Sequence, residues 1–331
     1  MMVVKAWLLD KIGDGVEKLR LGEAPDPLAG VGEVVLRVKV AGLNPADRYL
    51  AENQYPAKPS YPHVLGRDAL GVVEAVGEGV EAVRVGGAYL IVRSEVGVNR
   101  AGTFAERVAV PAESLVPVPA GWSDEEAAGA VLVYLTAYQA LTQWGEIGEG
   151  LVLISGASGG VGVAGVQLAR AMGHGVIGLS RDGGKSEKLL ELGCQAVFDP
   201  RQADWPKQML AKTGGRRMEL AIDNIGGSLF SQMVDCLAMH GRISCVGRLA
   251  GPVPEFNTAS LFFRRLKIGG VSVGSYTAGQ SREVWQRIVG LLEKSGARPL
   301  VDSVHAFDAL PAAFARLKQG PMGKVLLRVA A

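Results

Sequence analysis

What the chain lacks narrows the field first. Three cysteines, Cys194, Cys236 and Cys245, are scattered without a CxxC pair. So odd and sparse a set excludes a disulfide framework and fits buried thiols in a reducing compartment. The four histidines, His63, His174, His240 and His305, never stand four residues apart, and no metal site is expected. The longest apolar run, Ala127 to Tyr138, falls short of the ~20 residues that cross a bilayer and carries Thr136. The opening "MMVVKAWLLDKIGDG" has no basic segment followed by a long apolar one, so a signal peptide is not expected and the cytoplasm is the default location. Lys and Arg number 35 against 33 for Asp and Glu, a net charge of +2. Without a broad basic surface, neither nucleic acid nor a membrane is an expected partner. The sequence also has no internal repeat and no low-complexity tract.

What is there reads as an α/β enzyme. A length of 331 residues suits two domains, and 48% hydrophobic with 21% charged residues is an ordinary globular composition. The 45 glycines cluster at turns, as many short connections require. The first ~120 residues read as short strands ("VVKAWLL", "GEVVLRVKVAGL", "ALGVVEAVG", "FAERVAVP") parted by Gly, Pro and Asp, the pattern of a β-barrel or sandwich. At Ser123 the character changes. Ser123 and Glu126 form a capping box ahead of one long apolar helix, "SDEEAAGAVLVYLTAYQAL". From Leu151 strands and helices alternate, and near-continuous apolar strands mean a parallel sheet covered on both faces. The tail, "VDSVHAFDALPAAFARLKQGPMGKVLLRV", returns to strand–helix–strand and folds back on the first domain. The expected division is residues 1–122 with 275–331 in one domain and residues 123–274 in the other.

The stretch "LVLISGASGGVGVAGVQLARAMG" (151–173) runs from strand through a glycine turn into a helix. The GxGxxG fingerprint of dinucleotide sites would place glycine at 157, 159 and 162, and Ala157 replaces the first. Gly159 lets backbone approach a pyrophosphate, and Gly162 allows close packing of helix on strand. The amides of Ser158, Gly159, Gly160, Val161 and Gly162, aided by the helix dipole, then hold a diphosphate. An NAD site usually carries a carboxylate at the end of the second strand. Here Ser180 stands at that place, followed by Arg181 and Lys185, cations suited to a 2′-phosphate. NADPH is therefore the expected cofactor, although Asp182 lies one register away. A solvated surface loop is the alternative for 180–185.

The runs "GLNPAD" (42–47), "YPHVLGRDALGVVEAVG" (61–77), "LTAY" (135–138), "GASGGVG" (156–162), "AIDNIGG" (221–227) and "GKVLL" (323–327) together resemble the medium-chain dehydrogenase/reductase superfamily. Within it they are similar to the zinc-independent quinone oxidoreductase, or zeta-crystallin-like, branch. The resemblance spans the chain and implies a GroES-like β-barrel-type catalytic domain, a Rossmann doubly wound parallel sheet, and an active-site cleft between them. It also implies that Asn44, Tyr49, Tyr55 and Thr136 line the nicotinamide and substrate site. Asn44 would donate its amide to acceptor or cofactor, Thr136 would contact the nicotinamide amide, and Tyr49 or Tyr55 would stack or deliver a proton. Packing or capping is the plainer alternative for each. Asn224, with Gly226 and Gly227, ends the fourth strand of the parallel sheet, and Gly247 with Arg248 follows the fifth. Their loops are expected at the cofactor. Many relatives read Asn-Tyr where this chain has Asp199-Pro200, and Arg248 is a candidate replacement for that tyrosine.

Zinc enzymes of the superfamily ligate the metal with Cys, His and Cys. At the first ligand position this chain has Asn44, and where those enzymes read Gly-His-Glu it has Gly66-Arg67-Asp68. Three converging soft or borderline donors are missing. Asp68 is expected to pair with a nearby arginine, and His63 to be a packed or surface residue. "FFRRLK" (262–267) is expected at a subunit contact, and "KIGGVSVGSY" as the edge through which a homodimer forms. The expected activity is NADPH-dependent hydride transfer, without zinc, to a quinone or an α,β-unsaturated carbonyl. An enoyl-thioester reductase, a non-catalytic NADPH-binding protein and a zinc alcohol dehydrogenase are the alternatives.

Overall fold

The structure is a computed structural model that describes residues 2–92, 95–145, 148, 150–251 and 257–330. Along the chain come β1 (Val3–Leu9), β2 (Arg20–Pro25), β3 (Glu33–Gly42), α1 (Pro45–Ala51), β4 (His63–Val64), β5 (Asp68–Val76), β6 (Ala88–Ile91), β7 (Arg107–Pro111) and β8 (Leu115–Pro117). The helices α2 (Asp124–Ala128) and α3 (Val131–Thr142) follow. Then strands and helices alternate: β9 (Leu151–Ile154), α4 (Gly160–Ala171), β10 (Gly175–Leu179), α5 (Gly183–Leu192), β11 (Ala196–Phe198), α6 (Trp205–Lys212), β12 (Met218–Asp223), α7 (Ser228–Asp235), β13 (Leu237–Cys245), α8 (Ala259–Arg264) and β14 (Lys267–Gly270). The chain closes with α9 (Ala278–Ser295), β15 (Val301–Ala306), α10 (Leu310–Lys318) and β16 (Lys324–Arg328).

Two compact units result, residues 1–132 with 274–286 and 298–331, and residues 133–273 with 287–297. In the first, β3 lies inside a seven-stranded sheet of order β15-β16-β3-β5-β6-β8, with β7 also on β3. Alternation decides its faces: Val34, Leu36, Val38 and Val40 are fully buried, while Arg37 and Lys39 point away from the core. The tail joins this unit because β16 pairs antiparallel with β3, Leu326 opposite Gly42. The passage to the second unit falls at 132 rather than 122. Helix α2 is held by the first unit, where Asp124 pairs with Lys39 of β3 and Glu125 with Arg328 of β16.

The predicted capping box is present, with Glu126 N donating to Ser123 Oγ at 3.2 Å and Ser123 N donating to Glu126 Oε2 at 2.8 Å. The predicted single helix, however, breaks at Gly129 into α2 and α3. A Cβ at Gly129 would stand 3.2 Å from Lys324 Cβ and 3.3 Å from its Cγ. The lysine stem packs against this glycine.

The second unit is a six-stranded sheet of order β11-β10-β9-β12-β13-β14, parallel at every pairing. Its central strand β9 is buried along its whole length, as a sheet covered on both faces demands. Among the described residues no helix is long and apolar enough to cross a membrane.

Candidate functional site

In the first unit the chemistry-bearing residues gather around the N-terminus of α1. Asn44 is the residue before that helix and is 4% exposed. Its Nδ2 donates to Asp68 Oδ2 at 3.0 Å and to Gly42 O at 3.3 Å. Its Oδ1 accepts from Lys324 Nζ at 2.8 Å. Both ends of the amide are engaged inside the protein, so Asn44 is a link in a buried network rather than a donor pointing at an acceptor.

Asp68 is the centre of that network. Its partner is not an arginine, as expected, but Lys324, whose Nζ stands 3.0 Å from Asp68 Oδ2 and 3.0 Å from Leu43 O. Asp68 Oδ1 accepts from the Leu132 amide, at 3.1 Å, in the first turn of α3. Arg67 serves the neighbouring carboxylate instead, with Nε 3.3 Å from Asp47 Oδ1. Asp47 Oδ2 in turn accepts from Asn44 N at 2.9 Å. Burial pushes the Asp47 carboxyl upward, and Arg67 acts against that shift. Two carboxylates and two cations thus lie together, so that each buried charge has a partner of opposite sign.

The two tyrosines differ. Tyr49 lies on α1 beneath the Arg48 guanidinium, 5.4 Å from its ring centroid. Half-buried Tyr55 carries the Arg67 guanidinium 4.8 Å above its ring. Of the two expected places for His63, packed or at the surface, it takes the packed one: it is 4% exposed, and burial lowers its pKa. Thr136 is half-buried on α3 and belongs, like every residue expected at the dinucleotide, to the second unit.

In the second unit the glycine turn is built one residue earlier than the fingerprint implies. The left-handed residue is Gly156, with φ +56°, where a Cβ would meet Ile225 Cδ1 at 2.8 Å. Ala157 is then free to bury its methyl, and its N–H donates to Leu179 O at the end of β10, at 3.2 Å. A Cβ at Gly162 would stand 2.2 Å from Gly156 O, so helix and turn touch there. Gly159 is different: an added Cβ would meet only Gly156 O at 3.5 Å, an ordinary contact. The protein itself does not require glycine at 159. Gly159 precedes α4 with no side-chain cap, and its neighbours Ser158, Gly160 and Val161 are half-exposed. The first amides of a helix have no partner within it, which makes this end a cradle for an anion.

At the end of β10, Ser180 is buried and Arg181 exposed. Asp182 is turned into the start of α5, its Oδ1 accepting from Gly184 N at 3.0 Å and Lys185 N at 3.4 Å. Above all the Lys185 amide holds its carboxyl below the usual range. Lys185 Nζ lies 3.5 Å from Asp182 Oδ2. Arg201, which sequence reasoning missed, donates from Nη2 to Arg181 O at 2.6 Å and pairs with Asp199 at 2.6 Å. It adds a third cation beside Pro200.

The β12 and β13 ends are organised by Asp223, also missed, which is 1% exposed. Its Oδ1 accepts from Ser155 Oγ at 2.8 Å and from Ile225 N and Gly226 N, both at 3.0 Å. Asn224 donates from Nδ2 to Ser155 O at 2.8 Å, while its buried Oδ1 has no hydrogen-bond partner among the described residues. Gly247 packs on this loop, since a Cβ there would stand 2.5 Å from Asn224 O. Arg248 is exposed just beyond it.

The residues at the superfamily's metal-ligand positions do not fit zinc. Asn44 and Asp68 converge on an ammonium, and no sulfur or imidazole donor joins them. Among the described residues no group of three His, Cys, Asp or Glu side chains could hold a metal ion. Burial pushes the Cys194 and Cys236 thiols up to about 12 and that of Cys245 to about 11, which marks them as packing groups.

With this geometry in hand, comparison with known proteins is informative. Residues 30–120 match the alcohol dehydrogenase GroES-like domain, and residues 160–310 match the zinc-binding dehydrogenase domain. Rat quinone oxidoreductase is 28% identical over 321 residues, 95% of this chain and 94% of that protein. Acryloyl-coenzyme A reductase of Sulfurisphaera tokodaii is 28% identical, over 93% of this chain and 96% of its own. Among solved structures, an NAD-dependent alcohol dehydrogenase superposes with a TM-score of 0.89 at 30% identity, covering 98% of this chain and 100% of the other. A mycobacterial protein in complex with NADPH superposes with a TM-score of 0.89 at 26% identity, with coverage of 98% and 100%.

The contact at Gly162 yields a stability prediction. Gly162→Ala drives a methyl into the Gly156 carbonyl and lowers stability by about 1–3 kcal/mol. Gly159→Ala, with open space, stays within about 1 kcal/mol of the parent. Thermal or urea unfolding of the two variants checks this, and equal losses would refute the assignment of the two glycines.

Proposed function

The chain belongs to the medium-chain dehydrogenase/reductase superfamily, and on that footing we propose that it is a zinc-independent, NADPH-dependent reductase of quinones or α,β-unsaturated carbonyls. The observation that carries the reading is the Lys324 ammonium seated between Asn44 and Asp68. Oxidation of an unactivated alcohol in this scaffold relies on a Lewis acid to lower the alcohol pKa. A lysine whose hydrogens are all engaged offers none. Electron-poor acceptors need none, because the charge they develop on oxygen can be met by neutral hydrogen-bond donors.

When bound, the nicotinamide cofactor supplies the hydride. In this reading the amides of Ser158, Gly159, Gly160, Val161 and Gly162 hold the pyrophosphate. Ser180, Arg181 and Lys185 face the 2′-phosphate, with Arg201 steadying the Arg181 backbone. Asn224 Oδ1 takes a ribose hydroxyl, and Gly247 and Arg248 line the same end of the sheet. Thr136 contacts the nicotinamide amide. Tyr49 or Tyr55 orders the acceptor and returns a proton after hydride transfer. Asn44 holds Asp68 and Lys324 together within the first unit. The free thiols, Cys194 and Cys236 buried and Cys245 half-buried, suit the reducing cytoplasm.

The reading extends to assembly. Strand β14 is the outer strand of the parallel sheet, and Ile268 on it, with Phe262 and Phe263 on α8, is exposed. An open edge beside apolar side chains is a ready template for a second copy of this chain. Ile268→Lys brings like charges together across that two-fold contact. Light scattering after size exclusion should then read one chain where the parent reads two, and an unchanged mass, or a monomeric parent, rejects the interface.

Two solution experiments test the chemistry. In a fluorescence titration Arg181→Ala should weaken NADPH about tenfold, roughly 1.4 kcal/mol, and leave NADH nearly unchanged. Gly159→Ala should weaken both coenzymes together. Equal weakening of both by Arg181→Ala would reject the phosphate assignment. Steady-state rates with NADPH and a simple quinone, a short enal or a crotonyl thioester rank the acceptors. Highest kcat/KM on the quinone or enal is the expected outcome. Preference for the thioester, the chemistry named for the Sulfurisphaera relative, would overturn the acceptor class. Tight NADPH binding without turnover would overturn the enzyme reading altogether.

A further inference from the structure

The disagreement between the zinc-binding family description and this donor set has a physical content of its own. We propose that the Lys324 ammonium is a tethered cation filling an oxygen-donor cation site made by Leu43, Asn44 and Asp68, and that a free monovalent cation enters this site when the side chain is cut back.

The geometry is that of a coordinated ion rather than of a surface ion pair. Nζ has three oxygen neighbours, Asn44 Oδ1 at 2.8 Å, Leu43 O at 3.0 Å and Asp68 Oδ2 at 3.0 Å. They match the three hydrogens of an ammonium one for one. Lys324 is 5% exposed and Asp68 1% exposed, so the pair is shielded from bulk solvent. A path is cleared for the stem: a Cβ at Gly42 would stand 3.3 Å from Lys324 Cε, and one at Gly129 3.2 Å from Lys324 Cβ. Two glycines from different elements flank one lysine.

The site calls for a cation, and among the described residues no other cation bonds to it. Without Lys324, Asp68 keeps only neutral donors, Asn44 Nδ2 and the Leu132 amide. The nearest guanidinium, Arg67, is committed to Asp47 and to the Ala46 carbonyl. One carboxylate and two carbonyl-type oxygens are hard donors, suited to ammonium or an alkali ion and poor for zinc. Lys324 is thereby a positioning residue. Its Nζ donates to Asn44 Oδ1 and to Asp68 Oδ2, and Asp68 in turn accepts from Asn44 Nδ2 and from the Leu132 amide.

The test reads stability and not turnover, so it stands whether or not the reductase reading holds. Full-length Lys324→Ala is melted in ammonium chloride and in choline chloride at equal ionic strength, beside the parent and Lys324→Ala/Asp68→Asn. In choline the single variant should melt on the order of 10 °C below the parent. Ammonium should recover several degrees of that loss with saturable concentration dependence, as a ligand of the folded state does. The parent and the double variant should melt alike in both salts. A single variant as stable as the parent, no ammonium-specific gain, or a gain that survives Asp68→Asn would each overturn the proposal. If the single variant does not accumulate folded, its refolding yield in the two salts decides: ammonium-dependent yield supports the site, and equal yields refute it.

Discussion

A buried ammonium held by three oxygens is the constraint around which the first unit is arranged. Transferring Lys324 and Asp68 out of water is expensive, and their attraction offsets that cost only when every remaining donor and acceptor is matched. The matching recruits residues from distant stretches: Leu43 and Asn44 after β3, Asp68 at the start of β5, and the Leu132 amide at the start of α3. Gly42 and Gly129 follow from it, because side chains there would crowd the lysine stem. A second pair, Arg67 with Asp47, adjoins this network through the Asn44 amide.

The second unit solves a related problem without a cation. Asp223 is as buried as Asp68, yet its Oδ1 is met by a serine hydroxyl and two backbone amides. Hydrogen bonding to the ionised form stabilises a buried carboxylate when no counter-charge is available. The donors come from both sides of the central crossover, Ser155 after β9 and the loop after β12. One side chain thereby ties the glycine turn to the neighbouring strand end. Ligands of doubly wound sheets bind at these carboxyl ends, so the rigidity is placed where a cofactor would otherwise have to organise the loops.

The parts legible in the sequence are those whose physics is local. A strand, a glycine turn and an amphipathic helix are consecutive, and the capping box of Ser123 and Glu126 lies within one helical turn. Ala157 at the fingerprint's first glycine is explained by the backbone, because the fingerprint counts glycines whereas φ > 0 falls on Gly156 within this turn. Lys324 was illegible. It lies 256 residues from Asp68 and 280 from Asn44, and "GKVLL" reads simply as the start of a strand. The one available signal was a charged residue opening an otherwise apolar strand. Asp182 shows the opposite limit: it lies one register from the place where a ribose carboxylate is expected, and only its hydrogen bonds to Gly184 and Lys185 reveal that it caps α5. The pairing of Asp68 was anticipated with the wrong cation, since Arg67 is adjacent in sequence but faces Asp47.

The change from metal ligand to ammonium acceptor alters what the scaffold can do, and the reason is electrostatic. A divalent metal has vacant coordination positions and can polarise an oxygen brought to it. An ammonium has a single charge and three hydrogens, and here all three are spent on protein oxygens. It can hold a carboxylate ionised and an amide oriented, but it cannot accept a lone pair. On the reductase reading the transition state is then left to neutral donors and to the geometry of hydride approach. Such a site favours acceptors whose own conjugation spreads the developing charge, and quinones and enones have that property while simple ketones do not.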